Sequence, residues 1–277
     1  MEIFDCTMVD DIIFQKESSI LFGGEDSENP KKNRRFFLNK SDIFMKSKPN
    51  GHELDILPLK SSASLNPLIG KHPNLIKPPF LMIINGGVRS GKTVFLTNLV
   101  FRDSFYKGVW SKIYLISPTA NSDTSYKTFL ESDNVEIHCP INKEDFDASV
   151  LDIYKRLNAE EPSLIICDDI IGLHHQNDIL TNLCTKYRHT QTSIIISCQY
   201  FMRLSPTIRC NATAYVIFRV INSKELNKIM DELSSSFGDK LQKAYDIIFK
   251  SDAPKFTFMV LDLRNGSIMH EFKSHIV

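Results

Sequence analysis

Long hydrophobic runs are missing from this chain. Its longest uninterrupted apolar stretches, such as residues 80–84, have the length of a buried strand, far short of the ~20 residues a membrane-spanning helix needs. The chemistry of a secretory leader is missing too: Glu2, Asp5, Asp10 and Asp11 stand where a basic region and an apolar stretch belong. Paired cysteines are absent. Cys6, Cys139, Cys167, Cys184, Cys198 and Cys210 are scattered with no CxxC spacing, which does not read as a metal site. Cys167 and Cys198 lie inside apolar runs, where a thiol behaves as a small hydrophobe. No internal repeat and no low-complexity tract is found. These absences lead us to expect a soluble, intracellular protein with reduced thiols and no membrane span.

Net charge is absent as well, with 33 lysines and arginines against 33 aspartates and glutamates. The balance hides a strong polarity at the N-terminus. Residues 1–30 hold eight acids against Lys16 alone, and residues 31–50 hold seven bases (Lys31, Lys32, Arg34, Arg35, Lys40, Lys46, Lys48) against Asp42. Blocks of this kind form arms more often than cores. Up to about residue 75 there is little sustained periodicity, and Gly23-Gly24, Asn29-Pro30 and Pro49-Asn50-Gly51 interrupt the chain, followed by a Ser/Pro-rich stretch at 61–79. Residues 1–75 are therefore read as a partly disordered N-terminal extension. Within it Ile12-Ile13-Phe14 and Ile20-Leu21-Phe22 are either docking segments or incidental hydrophobics. Residues 76–277 are read as one folded domain, for which an apolar content of 42% supplies a real core.

From residue 80 onward, strand-length apolar runs alternate with helical segments. Strands are expected at 80–84, 109–117, 135–138, 164–167, 193–197 and 215–220, with a closing pair at 256–261 and 267–270. Helices are expected at 92–105, 143–157 and 179–187, the last capped by Asn177 or Asp178, and in one or two pieces at 224–249. Such alternation implies an α/β domain with a mainly parallel central sheet flanked by helices. Near-continuous Ile, Val and Leu runs suit strands covered on both faces.

Directly after the first of these strands comes Gly86-Gly87-Val88-Arg89-Ser90-Gly91-Lys92-Thr93, which fits GxxxxGK[ST]. Gly86 and Gly91 are expected to turn the chain with positive φ and to let backbone approach a phosphate. Successive N–H groups and the start of a helix near Lys92 then form a cradle for a nucleoside triphosphate, read as ATP. Lys92 is expected at the β- and γ-phosphates, and the Thr93 hydroxyl on Mg²⁺. A chain of this length meets the pattern by chance about once in a hundred, and the strand before it and helix after it reduce that further.

A phosphate loop by itself only binds; hydrolysis needs an acid at the end of a neighbouring strand. Leu164-Ile165-Ile166-Cys167 runs into Asp168-Asp169. Asp168 is the expected magnesium residue, acting through water, and Asp169 the group that polarises the attacking water. Many ATPases carry Glu at the second place, one methylene longer, so the departure bears on the base and not on Asp168. The next apolar strand, Ser193 to Ser197, ends at Cys198-Gln199. In P-loop ATPases of the additional-strand type this strand lies between the other two. The Gln199 amide at its tip can then donate to phosphate and orient water; a glutamine that merely caps the strand is the plainer reading. Arg188, Arg203, Arg209 and Arg219 cluster in this part of the sequence. Arg188, after a helix, and Arg209, in a loop after Pro206, are candidates for an arginine that reaches a neighbour's γ-phosphate. One sequence leaves that choice open, along with a salt-bridged role for each.

Taken in order, the GGVRSGKT loop, Asp168-Asp169, Tyr187-Arg188-His189, the strand ending in Gln199, Pro206-Thr207-Ile208-Arg209-Cys210-Asn211 and the strand from Tyr215 to Arg219 form a set. This set, covering residues 78–220, resembles the genome-packaging ATPases of large DNA viruses and virophages, the poxvirus-like branch of the FtsK–HerA superfamily. The resemblance implies a RecA-like core of the additional-strand type. It gives Lys92 and Thr93 the Walker A roles, Asp168 and Asp169 the Walker B roles, and Gln199 a sensor role, with ATP and Mg²⁺ as cofactors. It further implies a homo-oligomeric ring that drives double-stranded DNA into a preformed capsid, contacts capsid or portal-vertex proteins, and works in the host cytoplasm where virions assemble. The DNA substrate comes from the likeness and not from composition or spacing. Two other classes use the same loop: a small-molecule phosphotransferase, against which the lack of a compact arginine-rich lid counts, and a nucleotide-gated scaffold with little turnover, against which Asp169 counts.

Overall fold

A computed structural model describes residues 71–170, 172–174 and 179–276. The charge blocks and apolar triplets of the N-terminal extension, and the expected caps Asn177 and Asp178, lie outside the described residues.

The elements in chain order are β1 (Leu81–Asn85), α1 (Lys92–Phe101), β2 (Lys112–Ile116), α2 (Lys127–Leu130), β3 (Val135–His138), α3 (Lys143–Arg156), β4 (Ser163–Asp168) and α4 (Ile179–Lys186). They are followed by β5 (Thr192–Cys198), α5 (Pro206–Asn211), β6 (Ala214–Phe218), α6 (Ser223–Phe237), α7 (Asp239–Ile248), β7 (Phe258–Asp262), β8 (Ser267–His270) and β9 (Ser274–His275). All nine strands form one sheet, ordered β3-β2-β4-β5-β1-β6-β7-β8-β9. From β3 to β6 every pairing is parallel, and from β6 to β9 every pairing is antiparallel. The expected mainly parallel α/β architecture is therefore present. Parallel strands share a carboxyl edge, where open sheets of this kind hold their ligands.

Strand periodicity builds a core on each face. Leu81 and Ile83 of β1 join Ile165 and Cys167 of β4 and Ile194 and Ile196 of β5 in one buried cluster, with residues of α3, α4, α6 and α7. The alternate residues Met82, Ile84, Leu164, Ile166 and Ile195 join the other, with Phe95, Leu96 and Leu99 of α1 and the aromatic residues Tyr106, Trp110 and Phe129. This is the period of two expected of a strand sandwiched between layers. It also explains why β1, β4 and β5 read as unbroken apolar runs.

The outermost parallel strand is held by charge. Glu136 of β3 takes two hydrogen bonds from Arg156 of α3, at 2.9 and 2.6 Å, with His138 at 2.9 Å and Lys112 at 3.4 Å. The Arg156 guanidinium holds the Glu136 carboxyl down at about 2, against an ordinary 4.5. A depressed carboxylate contributes stability above its unfolded pKa, and that contribution is lost as pH falls from about 4.5 towards 2. Glu136→Gln is expected to lower Tm at pH 7 by roughly 2–4 °C, the size of about 1 kcal/mol in a domain this large. Melting curves on both proteins should converge as pH falls through that window; a deficit that stays constant down to pH 2.5 would mean lost packing and not lost charge.

Candidate active site

β1 delivers the loop. The chain leaves the sheet at Gly86, whose N–H donates to Cys198 O at 3.1 Å, so the loop begins beside the tip of β5. A Cβ on Gly86 would stand 2.6 Å from Ser90 Oγ and 2.9 Å from Phe218 Cβ. The expectation that both glycines turn with positive φ is corrected here. Gly91 does so at 98°, but the second left-handed residue is Arg89, at 59°. Gly86 is needed for space and not for conformation. Left-handed residues at 89 and 91 belong to the backbone pattern from which anion nests are built. Gly91 is also the N-cap of α1, where no side chain caps the helix and no acid occupies the first turn. The unpaired N–H groups and positive dipole end of α1 are thus left for an anion.

Lys92 Nζ donates to Gly86 O at 2.7 Å and Gly87 O at 3.0 Å. Burial pushes its pKa down, and the nearby charges of Asp168 and Asp169 act in the opposite direction. The thiol of Cys198, closing β5 beside the loop, is pushed up to about 12 by burial. It therefore stays protonated and inert, as the sequence leads one to expect of a buried cysteine.

β4 delivers the acids. Asp168 is its last residue, 3% exposed and in register with Ser197 of β5. Its Oδ2 accepts from the Tyr126 hydroxyl at 2.6 Å and from Thr93 Oγ1 at 3.5 Å. Burial, and then the Asp168 charge, push the Tyr126 phenol well above its ordinary range, so it stays a donor. Asp169 is exposed and adopts a left-handed φ of 57°. That conformation costs an L-residue about 1 kcal/mol and is tolerated best by Asn and Asp. It turns the second carboxylate towards β5, where Oδ1 accepts from Gln199 Nε2 at 3.1 Å. β5 lies between β4 and β1, so Gln199 stands between the acids and the loop. Val88 to Val94, Thr119, Tyr126, Asp168, Asp169 and Gln199 line one cavity of about 400 Å³.

Thus the loop, both acids and the glutamine come together. Tyr126 was missed from sequence. It sits in a short 3-10 turn ahead of α2 and meets Asp168 across 42 residues of chain, so no local pattern marks it.

The arginines separate. Arg209 is not in a loop: it lies in α5, whose N-terminus is capped by Ser205 with Pro206 in the first turn. It is 7% exposed. Its Nε donates to both carboxylate oxygens of Glu232, at 2.7 and 3.0 Å, its Nη1 donates to Leu204 O, and its guanidinium stacks 5.4 Å from the centroid of Phe201. Removing such a buried pair from its partner would cost several kcal/mol. The reading of Arg209 as a finger is therefore corrected to a structural one. Arg188 is exposed in a 3-10 turn after α4, with Nε donating to the Tyr187 hydroxyl at 3.2 Å. Arg219 lines a cavity of about 520 Å³ that also contains Arg89, Ser90 and Gln199.

A strand–loop–helix cradle, two acids on a strand that is not adjacent to it, and a Gln-tipped strand between them define a P-loop NTPase of the additional-strand class. Residues 71–263 match the family described as Poxvirus A32 protein, and the chain belongs to that family. The DNA packaging protein OPG160 of Variola virus is 26% identical over 163 residues, 56% of this chain and 59% of that protein. Its Monkeypox virus counterpart is 26% identical over 162 residues, 56% and 53% of the two chains. The match thus spans little more than half the length of these curated relatives. Among solved structures, the DNA-packaging ATPase B204 of Sulfolobus Turreted Icosahedral Virus aligns with a TM-score of 0.55 at 19% identity, covering 70% of this chain and 97% of that one. The genome packaging NTPase B204 of Sulfolobus turreted icosahedral virus 2, in complex with AMPPCP, aligns at 0.52 and 16% identity with the same coverage. At these identities the likeness is one of fold.

Proposed function

We propose that the chain hydrolyses ATP and that the hydrolysis drives double-stranded DNA into a viral capsid. The observation that carries the hydrolytic half is the 3.1 Å hydrogen bond between Gln199 and Asp169, at the tips of adjacent strands and in the same cavity as the loop. The N–H groups of the loop and of the first turn of α1 hold the α- and β-phosphates. Lys92 Nζ exchanges the Gly86 and Gly87 carbonyls for β- and γ-phosphate oxygens. Asp169 orients a water for in-line attack and accepts its proton, and the Gln199 amide fixes that carboxylate while touching the γ-phosphate. Thr93 Oγ1 and Asp168 Oδ2 meet at 3.5 Å beside the loop and suit a hard divalent cation. Among the described residues no group of three or more His, Cys, Asp or Glu side chains forms a metal cage, as fits an ion bound through one or two protein oxygens and the phosphates. Magnesium there would neutralise charge developing between the β- and γ-oxygens.

The DNA half draws its support from the names of similar proteins, which are DNA packaging proteins and packaging ATPases. On this reading the protomers form a ring, Arg188 reaches the neighbouring nucleotide, and capsid or portal-vertex proteins anchor the ring where virions assemble in the host cytoplasm. The basic block at residues 31–48 would contact DNA phosphates. No helix among the described residues is long and apolar enough to cross a membrane. The test is ATP turnover with and without duplex DNA. DNA is expected to raise turnover several-fold, with the increase fading as salt rises. Phosphorylation of an added acceptor would replace this reading with a phosphotransferase, and binding without turnover would replace it with a nucleotide-gated scaffold.

A further inference from the structure

Three cavities border the loop, and they differ in chemistry. The one of about 400 Å³ holds the acids, and the one of about 520 Å³ is bounded by Gln199 and Arg219. Another, of about 350 Å³, contains none of Asp168, Asp169 or Gln199. It adjoins the acid-bearing cavity through Gly91, Val94 and Phe256, which line both. Its deeper wall is aromatic: Phe95, Phe218 and Phe258 pack on one another with ring centroids 4.8 to 5.9 Å apart. At its mouth Phe256 is 56% exposed and Val94 61% exposed, two large apolar side chains side by side with the loop. The Phe256 ring lies directly on Gly91, where an added Cβ would come within 3.1 Å of Phe256 Cδ1. Lys255, which lines the cavity of about 520 Å³ and not this one, holds its Nζ 5.4 Å from the same ring's centroid.

The loop has a direction. Lys92, the acids and Gln199 mark the γ-phosphate end, and the N–H groups at the start of α1 mark the α-phosphate end. The nucleoside carried by the α-phosphate must leave past Val94, away from the acids and towards the aromatic cavity. We infer that Phe256 and Val94 form the slot that takes the planar base of the nucleotide, with Phe256 stacked on it; this rests on the nucleotide reading given above. A stack recognises the π-face and not the edge of a base, so the slot does not itself choose among bases.

The experiment is equilibrium binding of AMPPCP and of inorganic tripolyphosphate, each with magnesium, to the full chain and to its Phe256→Ala, Phe256→Trp and Lys92→Ala variants. Phe256→Ala is expected to weaken AMPPCP by about tenfold or more, in line with the loss of one aromatic stack, and to leave tripolyphosphate unchanged. Phe256→Trp is expected to restore AMPPCP binding. Unchanged AMPPCP affinity in Phe256→Ala, while Lys92→Ala abolishes it, overturns the slot and leaves the nucleotide reading standing. Equal weakening of both ligands by Phe256→Ala also overturns the slot, because it would report a disturbed loop. If the unaltered chain binds neither ligand, the nucleotide reading falls and the slot with it.

Discussion

Lys92→Ala is expected to lower ATP turnover by at least about 100- to 1,000-fold, the cost of removing one preorganised donor from charge that develops in the transition state. The expectation rests on the part Lys92 plays in the fold. Its ammonium is drawn over the loop by the Gly86 and Gly87 carbonyls, and among the described residues no other lysine lines the cavity that holds both acids. Burial disfavours its charge while Asp168 and Asp169 favour it, a balance that a β,γ-phosphate would tip strongly towards the charged form. The domain should remain folded. Lys92 is only partly buried and belongs to neither hydrophobic cluster, and its two acceptors are loop carbonyls. Steady-state turnover on protein whose melting curve matches the unaltered chain is the measurement. Unaltered turnover in that variant would remove the phosphate loop from the chemistry altogether.

How much of this was legible in the sequence depended on how local the cause is. β1, β4 and β5 announce themselves because both faces of each are covered, which leaves no polar alternation to confuse the reading. The order β4-β5-β1 followed from the resemblance and is the observed one. Element ends were less legible. A helix over 92–105 fitted the spacing of Phe95, Leu99 and Phe105, yet α1 stops at Phe101 and Arg102 is already extended. The strand expected from 109 begins only at Lys112. Between them Tyr106 and Trp110 are buried from a turn, with ring centroids 5.5 and 6.1 Å from Phe80. Periodicity reports burial, and here burial comes from loop side chains rather than from a regular backbone. Helix α5 carried a signature, Ser205 ahead of Pro206, but six residues are too few for an amphipathic period. The pairings Arg209–Glu232 and Tyr126–Asp168 link residues 23 and 42 positions apart. Nothing in either local stretch names its partner.

Asp168→Asn and Asp169→Asn are expected to fail in different ways, although the two acids are neighbours. Asparagine at 169 keeps an oxygen in the place that accepts from Gln199 and tolerates the left-handed backbone as well as aspartate does. Nucleotide binding should therefore stay within about threefold, a shift of roughly 0.7 kcal/mol. The amide has no proton affinity to offer a water, so turnover should fall by about 100- to 10,000-fold, the range for losing a general base. Asp168 is different because its carboxylate is nearly buried. Two hydroxyls, Tyr126 and Thr93, point donors at one of its oxygens, which fixes the side chain and leaves its charge as the feature of use to a cation. Asparagine there can still accept from Tyr126 but no longer carries that charge. The affinity for nucleotide with magnesium should then drop towards the value measured in chelator, and turnover should fall as a consequence. Titrating each variant with nucleotide, in magnesium and in chelator, separates the two, since only Asp168→Asn should erase the difference between the conditions. The opposite pattern, with magnesium dependence lost in Asp169→Asn and kept in Asp168→Asn, would exchange the roles of the two acids and make the tilted carboxylate at 169 the metal ligand.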